Sequence, residues 1–188
     1  MKNILLIILT ILNLPLFSQQ NMNEKLNQLF LDLDLSSTPE IMTKKSFLKF
    51  DYGINKGVEW TGGDTKMFIA KFDKHSLLES KIKGGQIFIR QNNRESQLGM
   101  YEITERIDFQ NIEDVINEFN KLSSIYEENS FKVKSLNTES TDYEITSQYN
   151  EIFFKSESKI SKITIGYSLP KEDGQVPSLL ISFKNIIE

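Results

Sequence analysis

Residues 111–128 read NIEDVINEFNKLSSIYEE, and the fold turns on how this stretch is read. Its apolar side chains fall at Ile112, Val115, Ile116, Phe119, Leu122, Ile125 and Tyr126. Steps of three and four keep such residues on one face of a 3.6-residue period, which predicts an amphipathic helix. Asn111 followed three positions later by Asp114 is a variant of the capping box, with Asp in place of the usual Glu or Gln. Glu113, Asp114, Asn117, Glu118, Asn120, Lys121 and Ser124 fill the other face and are expected to meet solvent. Strand-like sequence lies on both sides, so a sheet is expected to pack against the apolar stripe.

Upstream, Phe47, Phe50 and Tyr52 open a β-rich region, and 66–72 is a strong strand candidate. Gly84 and Gly85 precede another over 86–90, and a polar turn over 91–96 leads into 98–107. There Met100, Glu102, Thr104 and Arg106 alternate with Tyr101, Ile103, Glu105 and Ile107, the pattern of a half-buried strand. The 85–107 region therefore reads as an antiparallel hairpin feeding the helix. Downstream, strands are expected over 131–136, 142–147, 151–155, 159–168 and 178–184, the last two as a second hairpin. Before all of these, Met22, Leu26, Leu29, Phe30 and Leu33 suggest a first helix from about Asn23 to Asp34. Thr38 before Pro39 suggests a short second one reaching about Ser46.

Runs of strands separated by helices, without strict alternation, predict an α+β class. The expected architecture is one or more antiparallel sheets with amphipathic helices packed on one face. A finer alternative is two related α-plus-β-hairpin units, at about 19–108 and 109–188. At the level of element order the chain resembles the tandem helix-plus-four-strand modules of envelope inhibitor and assembly-accessory proteins. No motif carries that resemblance, so it transfers no residue.

Lys2 is followed by an apolar run over 4–14, then Pro15 and small or polar residues to Gln20. This is the order of a secretory signal peptide, expected to end after Ser18 and leave a domain over 19–188. The run is too short for a membrane-spanning helix, which needs about 20 apolar residues. The expected location is the periplasm or the medium. The chain has no cysteine, so disulfides and a lipid-modified N-terminal cysteine are both excluded. Its net charge of −4 argues against a general nucleic-acid binder.

Little in the sequence points to catalysis. The only histidine, His75, sits in a charged segment after a strand, where an exposed turn position is expected. With no Cys and one His, a closed zinc site is disfavoured. Acidic pairs at Asp32/Asp34, Asp142/Glu144 and Glu172/Asp173 read as solvated faces before they read as calcium ligands. The most suggestive loop is 57–64, which holds the single Trp, three glycines and two carboxylates. Glu59, Trp60 and Asp64 are its candidate ligand contacts, because an exposed Trp could stack on a sugar and paired carboxylates could hydrolyse a glycoside. A core-anchoring Trp beside a turn is the plainer account. No cofactor is indicated. The basic pairs Lys81/Lys83 and Lys132/Lys134 each share a strand face, read as edge protection or as contacts for an anionic ligand. The expectation that follows is a non-enzymatic exported domain that binds a protein or envelope component through its sheet, with a carbohydrate-binding or hydrolytic role for the 57–64 loop as the alternative.

Overall fold

Alternating side chains build the dominant element. Tyr101, Ile103, Glu105, Ile107 and Phe109 of one strand are all buried, and the residues between them are half-buried or exposed. A computed structural model describes residues 24–55, 65–92, 101–128, 130, 132–140, 145–156, 159–169 and 176–187. The expected signal peptide, the 57–64 loop and the acidic pairs at 142/144 and 172/173 lie outside these residues. The described elements are α1 (24–29), α2 (Pro39–Lys45), β1 (Asp51–Asn55), β2 (Thr65–Phe72), β3 (Ile82–Asn92), β4 (Tyr101–Phe109), α3 (Ile112–Glu127), β5 (Lys132–Ser140), β6 (Ile145–Ser156), β7 (Lys159–Leu169) and β8 (Ser178–Ile187).

All eight strands join one antiparallel sheet in the order β1-β2-β3-β4-β8-β7-β6-β5. This overturns the expected α+β class of helices packed on one or more sheets: the molecule is mostly sheet, with only a few short helices. Two local causes stand out. The candidate at 151–155 and the described end of the one at 142–147 belong to the single long strand β6, because Gln148 to Asn150 continue the ladder without a break. The first helix stops at 29 and not at Asp34, because Leu31 and Asp32 take left-handed φ angles of 54° and 59°. The Asp32 amide donates back to the Asn27 carbonyl at 2.8 Å, the six-to-one bond of a Schellman-type helix stop. β4 pairs with β8 from Glu102↔Lys184 to Asp108↔Ser178, so the sheet runs unbroken over a single apolar core.

The 111–128 stretch forms its helix as read. The Asn111 side chain accepts from the Asp114 amide at 2.9 Å and donates to the Asp114 carboxylate at 2.8 Å. α3 lies against β4, β6, β7 and β8. Phe119 is buried there and meets the Tyr167 ring edge-on at 4.9 Å. Two side chains depart from the expected faces. Ile112 is 44% exposed, whereas Glu118 is 2% exposed. The Glu118 carboxylate accepts from the amides of Glu79 and Ser80 at 2.8 and 2.7 Å. Lys121 beside it donates to the Leu77 carbonyl and to Glu79. The connection from β2 to β3 thus folds over the core and is stitched to α3. Together α1, α2, this connection and α3 cover one side of the sheet.

Two open surfaces and a buried pair

The registered ladders arrange the opposite side of the sheet in rows. One row runs Met67–Arg90–Glu102–Lys184–Lys162–Phe153–Lys132 across seven strands. The next runs Ile69–Phe88–Thr104–Ser182–Thr164–Glu151–Lys134, and a third runs Lys71–Gln86–Arg106–Leu180–Gly166–Tyr149–Leu136. Side chains directly opposite each other in a ladder share a face, so each row is a line of neighbours. Among the described residues no helix or loop covers this side. Met67, Ile69, Phe88, Tyr149, Phe153 and Leu136 are half-buried, and Leu180 is 40% exposed.

Near the middle of this face is a hollow of about 420 Å³ bordered by Glu102, Thr104, Tyr149, Thr164, Leu180 and Ser182. Gly166 forms part of its lining. A Cβ there would come within 2.6 Å of the Tyr149 Cβ, so only glycine lets the two strands carry a tyrosine at this position. At the edge of the face a second hollow, about 470 Å³, is lined by Lys71, Lys83, Gln86, Arg106 and Asp108. Arg106 pairs with Asp108 at 3.0 Å, and Asp108 also accepts from the Ser178 hydroxyl at 2.7 Å. Lys162 donates to Glu151 at 2.7 Å, and this bond holds the Glu151 carboxyl below its ordinary value, with Lys134 and Lys132 adding to the effect.

The covered side holds the other unusual chemistry. Glu105, in the apolar phase of β4, is enclosed with neither carboxylate oxygen hydrogen-bonded, flanked across the ladders by Ile87 and Ile181. Beside it lies His75, whose Nε2 is 3.4 Å from the carboxyl with both side chains fully buried. The His75 Nδ1 accepts from the Leu77 amide at 3.3 Å, which leaves the ring hydrogen on Nε2, facing the Leu29 carbonyl at 3.3 Å and Glu105. The expected exposed turn histidine is therefore a core residue, enclosed because α1 and the β2–β3 connection close over it. A cleft of about 580 Å³ between Leu31, Phe47, Lys74, Leu78 and Lys81 reaches the His75 residue but has no Glu105 in its wall.

Burial pushes the Glu105 carboxyl above its ordinary value of 4.5, only partly opposed by His75. A carboxyl whose folded pKa is raised holds its proton more tightly in the folded state. Its contribution to stability is therefore complete below about 4.5 and is lost as pH rises through the folded value. Glu105→Gln removes that dependence. In melting temperatures measured across pH, the variant should gain on the wild type as pH rises above 4.5. A constant difference between the two curves would show that Glu105 does not titrate in this range.

Among the described residues no group of three His, Asp or Glu side chains converges on a metal position. Asp34, one of the acidic pair considered above, is used locally: its carboxylate accepts from the Ser36 amide and from the hydroxyls of Ser36 and Ser37. Those bonds, Ser36 first, lower its pKa. Glu59, Trp60 and Asp64 fall between β1 and β2 in sequence and lie outside the described residues. The alternation of β4 already put Glu105 in the apolar phase, and that was the available signal for the buried pair. Nothing near His75 in sequence announces its partner.

Residues 89–181, just under half of the chain, are similar to the RanGAP1 C-terminal domain family. The matched span starts in β3 and ends in β8, and it includes α3. No curated protein and no solved structure gives a match. Among the described residues no helix is long and apolar enough to cross a membrane.

Proposed function

We propose that the chain is an exported, non-enzymatic binding domain whose partner, a protein or another envelope component, docks on the uncovered face of the sheet. One observation carries this reading. The side opposite the helices presents apolar and aromatic side chains over three registered rows with nothing of the described chain laid across them. Apolar side chains left uncovered on a sheet face and rimmed by polar ones mark interaction sites. Export rests on the N-terminal order of charge, apolar run and small residues, and places the protein in the periplasm or the medium. The similarity to the RanGAP1 C-terminal domain names no ligand and brings no residue to this face.

The test compares Leu180→Glu, at the centre of the face, with Ile41→Glu, an exposed position on α2 that lies on the covered side. Protein comprising residues 19–188 would be used to retain components of envelope extracts, and retention quantified for each variant. Loss of about tenfold with Leu180→Glu and no change with Ile41→Glu is expected, since central contacts dominate binding energy. Equal retention by both variants would remove the face from consideration. Turnover of a glycoside or ester in a hydrolase panel, abolished by Glu59→Gln or Asp64→Asn, would favour the alternative role of the 57–64 loop.

A further inference from the structure

We infer that the partner seated on this face is an acidic protein surface. The inference rests on the docking reading above and adds the partner's chemistry. Over the whole chain acidic residues outnumber basic ones, 26 to 22. On the described part of the uncovered face the balance reverses. Lys71, Lys83, Arg90, Arg106, Lys132, Lys134, Lys162 and Lys184 outnumber Asp51, Glu102, Asp108 and Glu151 by two to one. The acidic excess therefore resides elsewhere on the molecule, and the sheet face is a basic patch on an acidic protein.

Edge protection explains part of this pattern and fails for the rest. Lys132 and Lys134 lie on β5, an edge strand, where lysines discourage strand addition. Lys184 and Lys162 lie on β8 and β7, inside the sheet, where no edge needs protection. They stand directly opposite each other in the ladder. Like charges in that relation destabilise a sheet. Glu151 neutralises Lys162 at 2.7 Å. Glu102 stands opposite both Arg90 and Lys184, so one carboxylate faces two cations, and neither they nor Lys71 close an ion pair among the described residues. A face with twice as many cations as carboxylates has charge left for external carboxylates.

The apolar rungs choose among anionic partners. Leu180 and Tyr149 stand in the same row as Arg106, and Phe88 lies next to Arg90 on the face. The central hollow is bordered by Glu102, by hydroxyls and by Leu180 and Tyr149, so it suits an apolar side chain and the carboxylates belong around it. A phosphate backbone or a lipid headgroup layer would satisfy the cations and leave these side chains idle. A protein surface of carboxylates interleaved with apolar side chains satisfies both, with one apolar side chain filling the hollow and acidic ones reaching Lys184, Arg90 and the Lys71–Lys83–Arg106 hollow. Charges arranged in this way steer encounter and fix register.

The test uses fluorescence anisotropy of the purified protein with a labelled peptide of alternating Glu and Tyr, and with a Lys/Tyr counterpart. The acidic peptide should bind and the basic one should not, and affinity should fall steeply as salt shortens the screening length from about 10 Å to about 3 Å. Lys184→Gln with Arg90→Gln, which remove the cations without setting new carboxylates opposite Glu102, should weaken binding about tenfold. The double variant should keep the wild type's circular-dichroism spectrum, so that the loss reads as lost binding and not as unfolding. Lys44→Glu with Lys45→Glu, on the covered side, should bind as the wild type does. Binding of both peptides alike, an unchanged affinity in the Lys184/Arg90 variant, or stronger competition by phosphatidylglycerol vesicles or by DNA would overturn the acidic-protein assignment. If Leu180→Glu still abolishes retention from extracts while the acidic peptide fails, the face stands and only this chemistry falls. If both fail, the docking reading falls with it.

Discussion

His75→Ala is expected to lower stability by about 3 kcal/mol near neutral pH, the scale of leaving buried polar groups without partners and opening a void. Three effects combine. The Glu105 carboxyl loses the imidazole beside it, the Leu77 amide loses the acceptor at Nδ1, and the imidazole leaves a void beside Phe72, whose ring it meets edge-on at 6.1 Å. A double-mutant cycle separates them. In a Glu105→Leu background the same His75→Ala change should cost distinctly less, since no carboxylate is left stranded. The cost should also shrink in acid, where Glu105 is protonated in both proteins. Chemical denaturation of the four proteins provides the numbers, and equal costs in both backgrounds would mean that the pair does not interact.

Phe119→Ala is the second large effect, at about 3–5 kcal/mol, because the ring is enclosed between α3 and the sheet and its loss leaves a cavity as well as removing buried surface. Ile112→Ala, on the same apolar stripe in sequence, should change stability by about 0.5 kcal/mol or less, because its side chain is largely in water. Lys121→Ala should fall near the small end as well. Its bonds to Glu79 and Leu77 are partly exposed, and such contacts are worth about 0–1 kcal/mol. Urea titrations that ranked Ile112 with Phe119 would show that the helix is rotated from the orientation described.

These contrasts mark how far the sequence could be read. The position of α3, its Asn111 cap, and the hairpins β3–β4 and β7–β8 follow from local periodicity and turn residues, and they are legible in the chain. The class was misread because strand length is set by partners: β6 continues through Gln148 to Asn150 only because β5 and β7 supply a ladder on both sides. The same limit governs charge. Glu118 looks like a solvated helix residue until the β2–β3 connection brings the amides of Glu79 and Ser80 to it, 38 and 39 residues away. Along the chain, the basic residues of the uncovered face look scattered. They become a patch only through cross-strand register, which no single strand encodes.

The join between β4 and β8 has a consequence for how the protein is made. The Ser178 hydroxyl donates to Asp108 across a separation of 70 residues, and β4 has no partner on that edge until β8 is available. At ordinary synthesis rates of about 5–20 residues per second, the wait is several seconds. During that interval β4 presents an open strand edge, a template on which a copy of the chain can pair. The early meander cannot reach its final form before β8 has been made, so sequences that delay β8 act on yield before they act on stability.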